Sequence, residues 1–181
     1  MKKLLVVIGM PGSGKDTQID YMSKRRKLNV IRIGDLVRAK AKSNPDIEED
    51  LESGDLVDND VVNDLVSHAI NSVPDGSYLI SDGFPRDIGQ AKWLDTFVVN
   101  HDVIIDKVLL IDIDNDVSVD RLSKRGRDDD DNKTIQHRLE VFHIETDKVI
   151  DYYKADDRLS IVNGEPSPEV VSAEIEKILG W

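Results

Sequence analysis

Gly9-Met10-Pro11-Gly12-Ser13-Gly14-Lys15-Asp16-Thr17 follows directly on the apolar run Leu4-Leu5-Val6-Val7-Ile8, so a buried strand runs straight into a glycine-rich turn that carries a lysine. Residues of these types at this spacing cradle a phosphate. Successive backbone N–H groups point at its oxygens, glycines reach the backbone angles this requires, and a helix N-terminus behind them favours negative charge. Gly9, Gly12 and Gly14 supply the turn, and the stretch from Asp16 to Arg26 supplies the helix. In the usual P-loop spacing a Ser or Thr follows the lysine at once, whereas here Asp16 intervenes and the hydroxyl arrives at Thr17.

A second group capable of chemistry is Asp82-Gly83-Phe84-Pro85-Arg86, which leaves the run Tyr78-Leu79-Ile80-Ser81 and is followed by Gln90. A carboxylate at a strand end beside a phosphate loop organises the waters of a Mg2+ ion held on the phosphates, and an arginine next to it clamps an oxyanion. Thr17 and Asp82 are therefore the expected Mg2+ residues, acting chiefly through water.

The elements that must position these groups alternate. Apolar runs at Val30–Ile33, Tyr78–Ile80, Lys107–Ile113 and Leu159–Val162 join the first strand, and helical spacing is expected over 14–27, 87–99, 116–125, 134–154 and 167–179. This is an α/β pattern: a three-layer α/β/α fold around a five-stranded parallel sheet. Ser167-Pro168-Glu169 reads as a capping hydroxyl followed by proline at the first helical position. Residues 34–73 are too many for one crossover helix, with breaks at Asn44-Pro45 and Ser53-Gly54, and are expected to form a small helical insert. The polar stretch 126–133 is expected to be a short exposed lid, leaving a core of 1–33, 74–125 and 134–181 within one domain.

Composition bounds the partners. With 181 residues, 39% hydrophobic and 33% charged, the chain can build one core, and no apolar run approaches the ~20 residues that span a bilayer. Met1-Lys2-Lys3 and the short apolar run after it read as the first strand rather than a signal peptide. A net charge of −12 argues against a nucleic-acid polymer as partner, and the absence of cysteine fits a reducing compartment. Zinc is not expected: the four histidines, His68, His101, His137 and His143, lack ligand spacing. Asp128 to Asp131 read as a solvated acidic loop.

Taken together, the GMPGSGKDTQ loop and the DGFPR peptide resemble the adenylate kinase group of nucleoside monophosphate kinases, in which the P-loop lysine is likewise separated from threonine by one residue. That family usually has glycine where Asp16 stands, and the Asp16 side chain is expected to face away from the cradle. The resemblance implies that Gly12, Ser13, Gly14, Lys15, Asp16 and Thr17 bind ATP. Arg121 would lie over the donor base and Gly164 would meet the donor adenine through its backbone. It implies an acceptor site of Ile33, Gly34, Arg38, Val57, Gly83, Arg86 and Gln90, with Arg38 and Arg86 on the acceptor phosphate and Gln90 on the base. Lys15, Arg86, Arg125, Arg127 and Arg138 would be catalytic, the arginines neutralising the migrating phosphoryl, and only Gly126 separates Arg125 from Arg127, which implies a very short lid.

The activity so implied is reversible transfer of the γ-phosphoryl of ATP to a nucleoside monophosphate, with Mg2+, by a cytoplasmic monomer. AMP is the expected acceptor. Ile33, read as the apolar end of the second strand, stands where adenylate kinases carry a hydroxyl and pyrimidine-specific relatives a small residue, which keeps UMP or CMP as the alternative. A P-loop kinase of another small metabolite would not be expected to carry DGFPR with Gln90. A non-catalytic ATP-binding regulatory module draws its support from Asp16, Ile33 and the clipped lid alone.

Overall fold

The computed structural model describes residues 1–125 and 131–181. Its elements run β1 (Lys2–Ile8), α1 (Lys15–Arg25), β2 (Asn29–Arg32), α2 (Ile33–Ala41), α3 (Pro45–Ser53), α4 (Asn59–Ser72), β3 (Tyr78–Asp82), α5 (Ile88–Asn100), β4 (Val103–Asp112) and α6 (Asn115–Arg125). After these come α7 (Asn132–Val141), a π-helical turn (Phe142–Thr146), α8 (Asp147–Ala155), β5 (Leu159–Asn163) and α9 (Pro168–Leu179).

The strands form one five-stranded, all-parallel sheet in the order β2-β3-β1-β4-β5. Side chains alternate across it. Leu4, Val6 and Ile8 of β1 pack on the face covered by α2, α4, α5 and α8, and Leu5 and Val7 pack against Ile19 and Met22 of α1 and Val171 and Ile175 of α9. A strand buried on both faces reads as a continuous apolar run, which is why β1 is so plain in the sequence. Each such fully buried aliphatic side chain contributes roughly 1.5–3 kcal/mol.

Between β2 and β3 the chain builds α2, α3 and α4. Asn44 caps α3 by accepting the amide of Asp46, and Gly54 ends it at φ 89°, so the breaks legible in the sequence are helix boundaries. Ile33 does not end the second strand. It opens α2, 3% exposed, because β2 stops at Arg32.

The helix expected over 134–154 starts earlier, at Asn132, because Asp131 accepts the amides of Lys133 and Thr134 as its cap. Asp131 is thus a helix cap that is still exposed to solvent, and residues 126–130 lie outside the described residues. The π-helical turn interrupts the same helix and sets Thr146 against the Arg86 carbonyl, its Oγ1 donating at 2.7 Å. Ser167 sits at the start of α9, but its hydroxyl caps no amide. Among the described residues no helix is long and apolar enough to cross a membrane.

Candidate functional site

In a parallel sheet all strands end on one edge, and the residues there share a rim. β1 runs into the glycine loop, β3 ends at Asp82, and the register pairs Asp82 with Val7 on one side and with Arg32 on the other. β4 and β5 end beside each other at Asp112 and Asn163, which brings the Gly164 loop to the same edge. A cleft of about 940 Å3 opens there, at the upper end of the range for small-molecule sites.

The glycine loop is built as the sequence requires, though not each glycine acts alike. Gly12 and Gly14 adopt φ of 78° and 90°, the left-handed region that favours glycine. Gly9 has an ordinary φ and is needed for space: a Cβ there would lie 2.6 Å from the Ile111 carbonyl oxygen and from Ser13 Oγ. Lys15 opens α1 and folds back across the loop, its Nζ donating to the Gly9 and Met10 carbonyls at 2.5 and 3.2 Å. Enclosure by these loop atoms pushes its ammonium down to about 8, with Arg86 and Arg125 adding to the fall and Asp82 and Asp16 opposing it.

Asp16 does not face away. Its carboxyl stands near enough to that of Asp82 to act on it, and the two line the cleft together with Thr17. The Asp82 pKa is raised, first by burial and further by the charge of Asp16, while Lys15 and Arg32 oppose the rise. Arg32 bridges the rim, donating to Asp20 at 2.6 Å and to Asp82 at 3.2 Å.

The arginines converge. Arg86 stands open to the cleft, Nε donating to the Gly83 carbonyl at 2.9 Å, and its pKa is lowered by the enclosing walls and then by Arg138 and Arg38, against the pull of Asp82. A cis Phe84–Pro85 peptide precedes it. Arg38 folds onto Asp35 at 2.6 Å beside Gly34. Arg138 reaches from α7 to the Leu51 carbonyl at the end of α3, and His137 beside it meets Asp55 at 2.7 Å. Arg121 and Arg125 of α6 line the same cleft. Arg121 clamps two loops, donating to the carbonyls of Gly164 at 3.0 Å, Glu165 at 3.2 Å and Gly12 at 3.5 Å. Ser13, Val57, Gly83 and Gln90 also face the cleft, as does Ile33. Every expected site residue but one therefore lines this cleft; Arg127 lies outside the described residues.

Four contributors escaped the sequence reading: Arg32, Asp20, Asn59 and Thr146. Arg32 had a signal, since the last residue of a strand paired with the Asp82 strand must sit at the same rim. Asn59 and Thr146 had none, because their partners, Gln90 and the Arg86 carbonyl, are distant in sequence.

Fold and rim together define an α/β nucleotide-phosphate-binding protein of the P-loop class. The profile of the family described as adenylate kinase matches residues 7–158. The chain is 34% identical to the adenylate kinase of Synechococcus sp. (strain WH7803) over 183 residues, covering 99% of this chain and 100% of that one. It is 34% identical to adenylate kinase 1 of Nostoc sp. (strain PCC 7120) over 180 residues, 97% of this chain and 98% of the relative. Against the adenylate kinase of Bacteroides thetaiotaomicron it is 31% identical over 179 residues, 94% and 95% of the two chains. The chain belongs to the adenylate kinase family.

Proposed function

We propose that this protein catalyses ATP + AMP ⇌ 2 ADP. The observation that carries the proposal is the convergence of Lys15, Arg86, Arg125 and Arg138 on one cleft that reaches both the glycine loop and the α2–α4 insert. Two polyanionic substrates can touch only where positive charge and amide dipoles gather, and on a chain of net charge −12 that place is local.

The acceptor phosphate is already an anionic nucleophile, so no general base is required. An oxygen of the AMP phosphate bonds to the γ-phosphorus as the bond from that phosphorus to the β,γ-bridging oxygen breaks, and the electron pair leaves on the β-phosphate. Lys15 swings off its carbonyls onto the β/γ oxygens, and the amides of Gly12, Ser13 and Gly14 hold the phosphate chain. Arg38 leaves Asp35 to hold the acceptor phosphate with Arg86. Arg125, Arg127 and Arg138 cover the migrating group.

Thr17, Asp82 and, from its observed position, Asp16 offer the hard oxygen donors that suit Mg2+ and its water shell. These residues would hold it beside the bound ATP, where it would supply neutralising charge to the donor phosphates. Asn163 and Gly164 lie at the donor base, where Arg121 fixes the loop. Ile33 presents no hydrogen-bonding group to the acceptor base, so recognition falls to Gln90, which favours AMP.

In this reading the core comprises 1–33, 74–125 and 134–181, the insert 34–73 binds the acceptor, and 126–133 is the lid. Closure of both excludes water, a motion for which adenylate kinase lids are themselves a standard instance. One chain carries every residue the reaction uses, so we place it as a monomer, in the cytoplasm. A coupled assay of ADP formation from ATP with AMP, UMP, CMP or GMP tests the reading: AMP is expected to give the highest kcat/KM. A preference for UMP or CMP would overturn the acceptor, and nucleotide binding without ADP formation from any acceptor would overturn the reaction.

A further inference from the structure

Gln90 is 2% exposed and lines the cleft, and its side-chain amide is held at both ends. Its Oε1 accepts the backbone N–H of Arg86 at 2.8 Å, and its Nε2 donates to Asn59 Oδ1 at 2.7 Å. Asn59 in turn donates from Nδ2 to Asp87 Oδ1 at 3.1 Å, the same oxygen that accepts the backbone N–H of Gln90 at 2.9 Å. The two ends of this relay have no choice of role, because a backbone N–H only donates and an ionised carboxylate only accepts. Both amide orientations follow. Turning Gln90 over would face N–H to N–H at Arg86 and oxygen to oxygen at Asn59, and turning Asn59 as well would put its oxygen against the Asp87 carboxylate. Gly89 leaves room for the arrangement: a Cβ there would lie 3.0 Å from both Asn59 Nδ2 and Asp87 Oδ1.

We propose that Asn59 is a positioning residue that locks the polarity of the Gln90 amide and thereby makes the acceptor site choose adenine over hypoxanthine. The inference rests on the assignment of Gln90 to the acceptor base. A primary amide has two N–H groups and two oxygen lone pairs, and the relay uses one of each, so one donor and one acceptor remain among the described residues. Adenine presents an amino donor beside a ring-nitrogen acceptor, and hypoxanthine presents a carbonyl acceptor beside a ring N–H donor. The patterns are reversed. With the ribose and phosphate fixing the pose, an amide held one way round satisfies one pattern and leaves the other with unpaired polar groups, whereas a free amide turns to suit either.

The test measures kcat/KM for AMP and for IMP at saturating ATP. In Asn59→Ala the AMP-over-IMP preference is expected to fall about tenfold, the loss of one hydrogen bond's worth of orientation, chiefly through a lower KM for IMP, with the KM for ATP unchanged. Asn59→Asp keeps an acceptor for Gln90 Nε2 but sets a second carboxylate beside Asp87. It should hold the preference while melting at a lower temperature. A merely structural role for Asn59 predicts the reverse order of preference, with the less stable, like-charged variant losing more of it than Asn59→Ala, and that order would overturn the proposal. Should Asn59→Ala not fold, Gly89→Ala, whose methyl crowds the same amide, is expected to show the same loss of preference. If the Asn59 and Gly89 variants keep the wild-type preference while Gln90→Ala loses it, the lock is refuted and the Gln90 assignment stands; if Gln90→Ala keeps it too, both are refuted.

Discussion

Lys15 occupies the space it must later give to phosphate. Its ammonium rests on the Gly9 and Met10 carbonyls, and its protonated form is weakened until the pKa stands at about 8. Since kcat/KM reports the free enzyme, its value for ATP is predicted to fall above about pH 8, approaching tenfold per unit, as the cation that meets the phosphates is lost. A pH–rate profile checks this; a flat line to pH 10 would dissociate Lys15 from ATP capture. Lys15→Met, which removes the charge at every pH, is expected to lower kcat about 100- to 1000-fold. At this scale the sequence named the cleft residues well, because glycines, lysine and the Asp82–Arg86 peptide carry their chemistry in their types. It misjudged Asp16. Side-chain direction in the first turn of α1 depends on what stands across the rim, and that is Asp82, brought there by strand pairing that no local pattern records.

The elements hold the rim through a few long-range ties. Arg158, before β5, meets Asp95 of α5 in two bonds of 2.8 and 2.9 Å, and Tyr152 of α8 adds a third at 2.7 Å. Burial alone would raise the Asp95 pKa, but these hydrogen bonds outweigh it and hold the carboxyl below its ordinary range. A depressed carboxylate contributes stability above its unfolded pKa and loses it as pH falls through the folded one. With side chains 24% and 30% exposed the pair is partly screened, so Asp95→Asn is expected to cost about 1–2 kcal/mol at pH 7 in urea unfolding. The difference from wild type should close as the pH falls below about 4. A difference independent of pH would mean that packing, rather than charge, carries the tie. Strands and most helices were legible because period and length distinguish them; the early start of α7 and the π-helical turn were not. A cap such as Asp131 competes with its acidic neighbours for the same reading, and the turn follows from where Thr146 must reach, the Arg86 carbonyl.

At the scale of the molecule, parallel topology does what no single segment can. It brings the ends of β1, β2, β3, β4 and β5 to one edge, and with them cations from α1, α2, α6, α7 and the Arg86 loop, so that a chain of net charge −12 keeps a concentrated positive hollow. Donor and acceptor phosphates meet in that hollow. Incubation of the protein with Mg2+, AMP and ATP labelled in its γ-phosphate tests this most directly. The label is predicted to appear in the β-phosphate of ADP, in step with loss of AMP; label found only in inorganic phosphate, or remaining wholly in ATP, would contradict it.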